Sequence, residues 1–172
     1  MDGREAALLT LNTCERQGGW SDAILKKQLK QAELTHRDAA LATQLCFGVL
    51  QNRMLLDYYV AQCSTTKPEK MEAGVRNILR LGAYQLLMMD RVPDHAAVSQ
   101  SVELAKRSSR NPRVPGLVNA VLRSLLRRRE TLTAPEAPAI RYSHPQWLVD
   151  AFQARLGQEE TLALLAADNG QP

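Results

Sequence analysis

Apolar residues recur at every third or fourth position along most of the chain, which is the spacing of amphipathic α-helices. No stretch of useful length alternates apolar and polar residues as a half-buried strand would, and no repeat of fixed period is present. The pattern therefore predicts an all-α protein. Its helices are expected at residues 2–17, 21–32, 35–63 with a break or bend at 51–53, 69–91, 94–107 and 117–129.

Short polar residues mark where these helices begin, because their side-chain oxygens accept hydrogen bonds from unpaired backbone N–H groups. Asp2 is followed three residues later by Glu5, and two similar capping boxes occur further along the chain. The pair Gly18-Gly19 is expected to end the first helix. The other predicted caps are Ser21, Thr35 with Asp38, Thr66 with Glu69, and Asp94.

The helix predicted over residues 69–91 is apolar around most of its circumference. A helix that is hydrophobic on nearly all sides has to be covered by other helices. We therefore expect it to be the central and most buried helix of the bundle. Arg76 and Arg80 are expected to mark its water-exposed edge, and Pro93 to stop it.

Positive charge is concentrated in one segment of the second half. Between Glu103 and Glu130 the sequence contains no acidic residue. The helix predicted at 117–129 follows Pro115 and Gly116, and its leucines and valines fall on one broad side, with arginines on the other. This segment is the expected electropositive surface and a candidate contact for a polyanion. Its cations are Lys106, Arg107, Arg110, Arg113, Arg123, Arg127, Arg128 and Arg129.

Residues 131–141 contain two prolines and no helical periodicity, and their composition differs from what precedes them. We interpret them as a connector, which predicts one helical domain over residues 1–130 and a second segment over 131–172. Two further short helices are expected in that segment. The first starts at Ser143 and ends at Gly157, and the second covers residues 158–168.

Composition excludes several classes of protein. The net charge is only +4, and 5% of residues are aromatic, which favours helices over a sheet. No apolar run is long enough to cross a bilayer and the N-terminus does not resemble a signal peptide, so we expect a cytoplasmic protein without a membrane partner. The cysteines are widely spaced and odd in number, which indicates buried reduced thiols: Cys14, Cys46 and Cys63.

No catalytic or metal-binding motif is present, so neither a catalytic residue nor a metal ligand is assigned. The histidines stand at predicted helix starts and have a structural interpretation. Asn119 is interpreted as a buried amide that bridges to a loop, in preference to an RNA contact. Tyr58 and Tyr59 are expected to be half core and half surface. The three histidines are His36, His95 and His144.

Four stretches carry a family resemblance, and they occur in the family's order. They are residues 38–50 (DAALATQLCFGVL), 79–87 (LRLGAYQLL), 92–98 (VPDHAAV) and 118–123 (VNAVLR). Together they resemble the NusB-like RNA-binding domain. The tail over residues 141–172 resembles the linker that joins this domain to a methyltransferase domain in the RsmB (Sun/Fmu) family of small-subunit rRNA cytosine-5 methyltransferases.

This resemblance implies an all-α bundle that binds RNA, with small-subunit rRNA as the partner and a methyltransferase domain in cis. By analogy with NusB, the N-terminal helix would add Arg4 and possibly Arg16 to the RNA contacts. The cysteines match neither the Pro-Cys nor the Thr-Cys-Ser setting of such enzymes, so no nucleophile is transferred. We expect no cofactor in residues 1–172, and S-adenosylmethionine only in the missing domain. The expected RNA contacts are Lys106, Arg107, Arg110, Arg113, Arg123, Arg127, Arg128 and Arg4.

Two other interpretations remain at this point. A transcription antitermination factor of NusB type would bind RNA together with a protein partner, but would have no reason for the tail after Pro138. A pure protein-interaction bundle would use its arginines only to keep the surface hydrated. A salt-dependent affinity for RNA would exclude it.

Overall fold

A computed structural model describes residues 1–19, 22–132 and Pro135. These residues form helices and short connections without a strand, which confirms the all-α prediction. No helix in these ranges is long and apolar enough to cross a membrane. The elements are α1 (Gly3–Arg16), α2 (Asp22–Gln31), α3 (His36–Cys63), a 3₁₀ turn (Pro68–Lys70), α4 (Ala73–Met88), α5 (Asp94–Ser108) and α6 (Val114–Arg128).

Both predicted ends of α1 are confirmed. Asp2 Oδ1 accepts a hydrogen bond from the backbone N–H of Glu5 at 2.8 Å. At the other end Gly18 takes the left-handed conformation, with φ of 77°. The Gly18 N–H then donates to Glu15 O and the Gly19 N–H to Cys14 O, which is the Schellman arrangement that ends a helix.

The expected bend in α3 is also present. Thr35 caps the helix through the N–H of Asp38, and the backbone leaves helical geometry at Asn52, with φ −117° and ψ 16°. The Asn52 side-chain Nδ2 donates to the carbonyl of Gly48 at 2.9 Å. A side chain that takes the carbonyl four residues earlier competes with the helical ladder, which is a known cause of helix kinks.

Helix α4 is the centre of the bundle, as expected, and packs against α1, α3, α5 and α6. Two glycine contacts show how closely its neighbours approach. A Cβ placed on Gly48 of α3 would overlap the ring of Tyr84, and one on Gly82 would lie 2.6 Å from Cδ1 of Leu122. A larger residue at either glycine would therefore displace a buried side chain of the neighbouring helix.

The predicted start of α4 is wrong. The capping box at Thr66 and Glu69 does not open the helix, which begins at Ala73 after the short 3₁₀ turn. Met71 takes an extended backbone, with φ −84° and ψ 152°, and its side chain is buried in the core. Arg76 donates to the carbonyl oxygens of Pro68 and Met71, and these bonds hold the turn against the helix.

The starts of the last two helices also differ from expectation. Asp94 does not cap α5 but is its first residue, after Pro93. Its carboxylate accepts from Arg129 instead, at 3.0 and 3.3 Å. Helix α6 begins at Val114 and not at 117, because proline is tolerated in the first turn, where its missing N–H would have no helical partner. The turn before it is held by Asn111, which accepts from the Arg113 N–H at 3.0 Å.

Several predictions fall outside the described residues: the Ser21 cap, the two tail helices, His144 and most of the connector over 131–141. The domain boundary after residue 130 therefore stays a prediction.

Candidate nucleic-acid interface

The exposed side of α6 carries a line of arginines. Its apolar residues face the core, and Val118, Leu122 and Leu125 are completely buried. The opposite side consists of arginines separated by small residues, and Gly116 and Ala120 are exposed between them. At 3.6 residues per turn, Arg113, Arg123 and Arg127 fall within a sector of about 80° and span about 21 Å along the helix. We group them with the exposed Arg110 of the preceding loop, which borders a cleft that Glu72 also lines, and term this set the basic stripe: Arg110, Arg113, Arg123 and Arg127.

The charges of the basic stripe are not neutralised within the described part of the chain. The side chains of Arg110, Arg113 and Arg127 are exposed and make no hydrogen bond or ion pair with another described residue. Arg123 makes one bond, from Nε to Asn119 Oδ1 at 2.9 Å. Its other donors remain available. The guanidinium groups of the basic stripe therefore have no acidic partner among the described residues.

The prediction for Asn119 is wrong. Its side chain is half-buried and does not bridge to a loop, because the residue one turn further along the same helix, Arg123, donates to it. The sequence interpretation placed Asn119 at the border of the apolar face and overlooked this i, i+4 partner. The amide orients an arginine of the basic stripe.

The two arginines at the end of α6 bind other helix ends. Arg128 donates from Nη1 to the carbonyl oxygen of Gln62 at 2.6 Å and lies 3.7 Å from Sγ of Cys63. Arg129 donates to the carbonyl oxygen of Leu86 at 3.3 Å. These carbonyls lie in the last turns of α3 and α4, where they lack helical partners and where the helix dipole favours positive charge. The sequence predicts that Arg128 contacts RNA, and in the structure its guanidinium also bonds α6 to the end of α3.

Lys106 and Arg107 are exposed, but both have acidic neighbours. Lys106 pairs with Glu103 of the same helix at 3.3 Å. Arg107 lies 3.5 Å from carboxylate oxygens of both Asp2 and Glu5, at the start of α1. The segment that is free of acidic residues in the sequence is therefore partly neutralised in space, and the available charge is concentrated in the basic stripe.

Arg4 is placed away from open solvent. It is half-buried, and its Nε donates to Oε1 of Gln85 on α4 at 2.8 Å. Burial lowers the pKa of Arg4 from its ordinary value, and the charge of Asp2 opposes that shift. Arg16 is exposed, with Nη2 donating to Thr13 Oγ1 at 3.2 Å. Of these two N-terminal arginines, the geometry gives Arg4 a role in joining α1 to α4.

An ionic cluster that the sequence did not indicate lies between α1, α3 and α4. Arg80 was expected at a wet edge, but only 5% of it is exposed. It donates to both carboxylate oxygens of Asp57 at 2.7 Å and to Glu15 at 2.9 Å. Arg76, also expected there, is half-buried and donates to Glu15 at 2.9 Å. The prediction failed because both acidic partners are far away in the sequence.

Asn77 completes this cluster from the same helix. Its Oδ1 accepts from Arg80 at 3.0 Å, and its Nδ2 donates to Oδ1 of Asn12 on α1 at 2.8 Å. The cluster lies beside an open cleft of about 360 Å³, which Arg53 and Glu69 also line. Because its positive and negative groups face one another, the cluster joins helices and offers little net charge to a ligand.

Two of the three thiols predicted to be buried are buried, and the two histidines in the described residues stand at helix starts. Cys14 and Cys46 are buried, and burial raises the pKa of both thiols, that of Cys46 to about 12. Cys63 is only half-buried. His36 is the first residue of α3 and His95 the second of α5, both exposed at helix starts as predicted. Within the described ranges, no three side chains that could hold a metal ion come together.

Several curated proteins are similar to this chain. The chain is 35% identical over 161 residues to a probable ribosomal RNA small subunit methyltransferase B of Bacillus subtilis, covering 91% of this chain and 36% of that protein. It is 42% identical over 154 residues to the ribosomal RNA small subunit methyltransferase B of Thermus thermophilus, covering 90% and 36%. A putative methyltransferase of Mycobacterium tuberculosis is 36% identical, covering 98% and 39%.

The chain therefore spans little more than a third of the length of these relatives. Residues 1–127 match the model of the NusB family, and this range contains the six α-helices of the described residues except for the last residue of α6. The resemblance carried by the four sequence motifs is thus confirmed, and the chain belongs to the NusB family.

Proposed function

We propose that this chain is an RNA-binding accessory domain of an S-adenosylmethionine-dependent rRNA cytosine-C5 methyltransferase, and that it is non-catalytic by itself. The observation that carries the proposal is the basic stripe, whose exposed guanidinium groups have no acidic partner among the described residues. Guanidinium groups bind phosphate oxygens in bidentate fashion. A NusB-family bundle with such a face, similar to small-subunit rRNA methyltransferases, is suited to bind small-subunit rRNA.

In such an enzyme the domain would act by positioning the RNA. A bundle that binds RNA next to a methyltransferase domain in cis raises the local concentration of the target and restricts its orientation. The basic stripe supplies the affinity, while the ionic cluster and the arginines at the end of α6 keep the helices fixed. A role in rRNA modification places the protein in the cytoplasm.

S-adenosylmethionine would bind to the methyltransferase domain. Folds that hold nucleotide-type cofactors use a glycine-rich turn between a strand and a helix. Residues 1–19 and 22–132 contain helices and short connections, and no strand that could precede such a turn. These residues do not fit the cofactor, and we assign no step of methyl transfer to them.

A transcription antitermination factor of NusB type is the second candidate, because the family match alone would suit it. The extent of the similarity favours the methyltransferase. The alignments to the relatives from Bacillus subtilis and Mycobacterium tuberculosis cover 91% and 98% of the chain, so they extend past residue 127, where the family match ends.

The proposal is tested by removing two charges from the basic stripe. In the double variant Arg123→Gln/Arg127→Gln we expect weaker RNA binding, and a slope of log affinity against log salt that is flatter by about 1.4 to 1.8, since each lost phosphate contact contributes about 0.7 to 0.9. The melting temperature should change by no more than about 2 °C, because exposed charges contribute little to stability. Fluorescence anisotropy with a labelled fragment of small-subunit rRNA measures the affinity.

The matched control is Lys26→Gln/Lys27→Gln, which removes two exposed cations from α2. Helix α2 packs on α1 and α3, so this variant loses the same net charge away from α6. Equal loss of affinity in both double variants would show that only the overall charge matters. Unchanged affinity with a lowered melting temperature in the α6 variant would show that its arginines are structural.

A further inference from the structure

We propose that the basic stripe binds double-helical RNA through its phosphates and does not read the bases of a single strand. This inference rests on the proposed function and specifies the form of RNA that the site takes. It follows from which side chains the stripe contains, which it lacks, and how rigidly the arginines are spaced.

The first observation is that the two helices and the loop that carry or flank the stripe contain no aromatic residue. Residues 94–128, which cover α5, the following loop and α6, contain no phenylalanine, tyrosine or tryptophan. The aromatic residues of the described ranges all lie on α3 and α4, and each is buried or half-buried. Proteins that bind single strands rely on aromatic side chains on which successive bases stack. Within the described part of the chain, the stripe has no platform of this kind beside it. The aromatic residues of the described ranges are Phe47, Tyr58, Tyr59 and Tyr84.

The second observation concerns polar readers of base edges. Between the arginines, the exposed side of α6 carries only Gly116 and Ala120, and the space beside Gly116 is open. Asn119 is half-buried and already accepts from Arg123. Sequence-specific recognition of RNA needs hydrogen bonds to the exposed edges of unpaired bases. Between Arg113 and Arg127, the exposed positions of α6 therefore offer only guanidinium groups as donors, and these match phosphate oxygens.

The third observation is the rigid spacing of the charges. Arg113, Arg123 and Arg127 are fixed on one helix over about 21 Å. An RNA duplex presents phosphates at fixed positions, so it can meet such an array without being ordered first. A flexible single strand loses conformational entropy when its phosphates are brought into register. The same four arginines should therefore bind a duplex more tightly than a strand of equal length.

The expected salt dependence follows from the number of charges. With about four phosphates contacted, the slope of log affinity against log salt is about −3.6 for a duplex and about −2.8 for a single strand. For the duplex this corresponds to an affinity that falls by about 150-fold between 50 and 200 mM salt.

The experiment uses the full 172-residue chain and three labelled RNAs of equal length: a duplex, a second duplex of shuffled sequence, and single-stranded oligouridine. At 0.1 M salt we expect both duplexes to bind about 10-fold or more tightly than oligouridine, and to differ from each other by less than about 3-fold. Fluorescence anisotropy gives the dissociation constants.

Two single variants locate the duplex on the stripe. Ala120→Glu introduces a negative charge between the arginines at an exposed helical position, and should weaken duplex binding by about 10-fold. Ala23→Glu makes the same substitution at an exposed position of α2 and should leave duplex binding within about 2-fold of the parent. Circular dichroism of both variants verifies that the bundle is folded.

The results separate this inference from the proposed function. If oligouridine binds as tightly as the duplexes, or if shuffling the duplex changes affinity by more than about 10-fold, the duplex proposal is wrong. When Arg123→Gln/Arg127→Gln still reduces binding in that case, the RNA-binding function stands. If none of the RNAs binds, both proposals are overturned.

Discussion

Replacing Arg80 by methionine tests the ionic cluster at the centre of the bundle. The guanidinium joins three helices, because it lies on α4 and donates to Asp57 on α3 and to Glu15 on α1. Methionine keeps the length and apolar stem of the side chain but removes every one of these bonds. The variant therefore leaves two carboxylates close together without their main partner.

The magnitude follows from how deeply the groups are buried. Removing one partner of a fully buried ion pair costs about 3 to 5 kcal/mol, since the remaining charge is neither paired nor hydrated. Here the side chains of Glu15 and Asp57 retain 14% and 29% exposure, so water can reach both carboxylates. Arg76 also stays 2.9 Å from Glu15. We expect a loss of about 2 to 3 kcal/mol in the free energy of unfolding.

Urea unfolding followed by far-UV circular dichroism measures this loss, provided that the m-value is unchanged. Arg123→Met is the matched control, because Arg123 is exposed and its replacement should cost less than about 0.5 kcal/mol. Adding Asp57→Asn to the Arg80→Met variant should recover about 1 kcal/mol or more, since it removes the carboxylate charge that has lost its ion pair with Arg80. A loss from Arg80→Met no larger than that from Arg123→Met would refute the argument.

Three further predictions concern packing, thiol chemistry and the connector. Gly48→Ala should lower the free energy of unfolding by about 1 to 3 kcal/mol in urea titrations, because the new Cβ would overlap the ring of buried Tyr84. At neutral pH a thiol reagent should modify Cys63 well before Cys46, whose pKa burial raises to about 12. Equal reaction rates for the two thiols would contradict this prediction. Because the folded state holds the Cys46 proton more tightly, the contribution of this thiol to stability is complete below pH 9 and is lost as pH rises from 9 towards 12. Limited proteolysis should cut first within residues 131–141, because this stretch contains prolines and has no helical periodicity. Mass spectrometry of the fragments locates the cut, and a first cut at residues 108–112 would show that the predicted domain boundary is misplaced.

The helices themselves could be predicted from the sequence because their signals are local. Apolar spacing at every third or fourth residue determines which side of each helix is buried, so the central position of α4 and the two faces of α6 were correct. Asp2 and Thr35 cap helices with neighbours three residues away, and Gly18 needs only its own positive φ. The errors at the starts of α4 and α6 also have local causes. Proline is compatible with both a turn and a first helical turn, and the sequence does not choose between them.

Which charged residues form ion pairs could not be predicted in the same way. Arg107 meets Asp2 and Glu5 across the bundle, and Arg129 meets Asp94. A stretch of sequence without acidic residues therefore does not predict which of its cations lack an acidic neighbour in the folded chain. Only the packing of α1, α5 and α6 gives Arg107 and Arg129 acidic neighbours and leaves the basic stripe without one among the described residues.

Arg80 illustrates why ion pairs could not be predicted from the sequence. By sequence it is a charged residue on a helix and should face water, but α1 and α3 each place a carboxylate beside it, 65 and 23 residues away. Periodicity and capping depend on neighbours within a turn or two, so the sequence by itself determined the helices and their buried faces. An ion pair depends on the distance between groups that only the packed bundle brings together, so tertiary structure alone decided which arginines join helices and which have no acidic partner among the described residues.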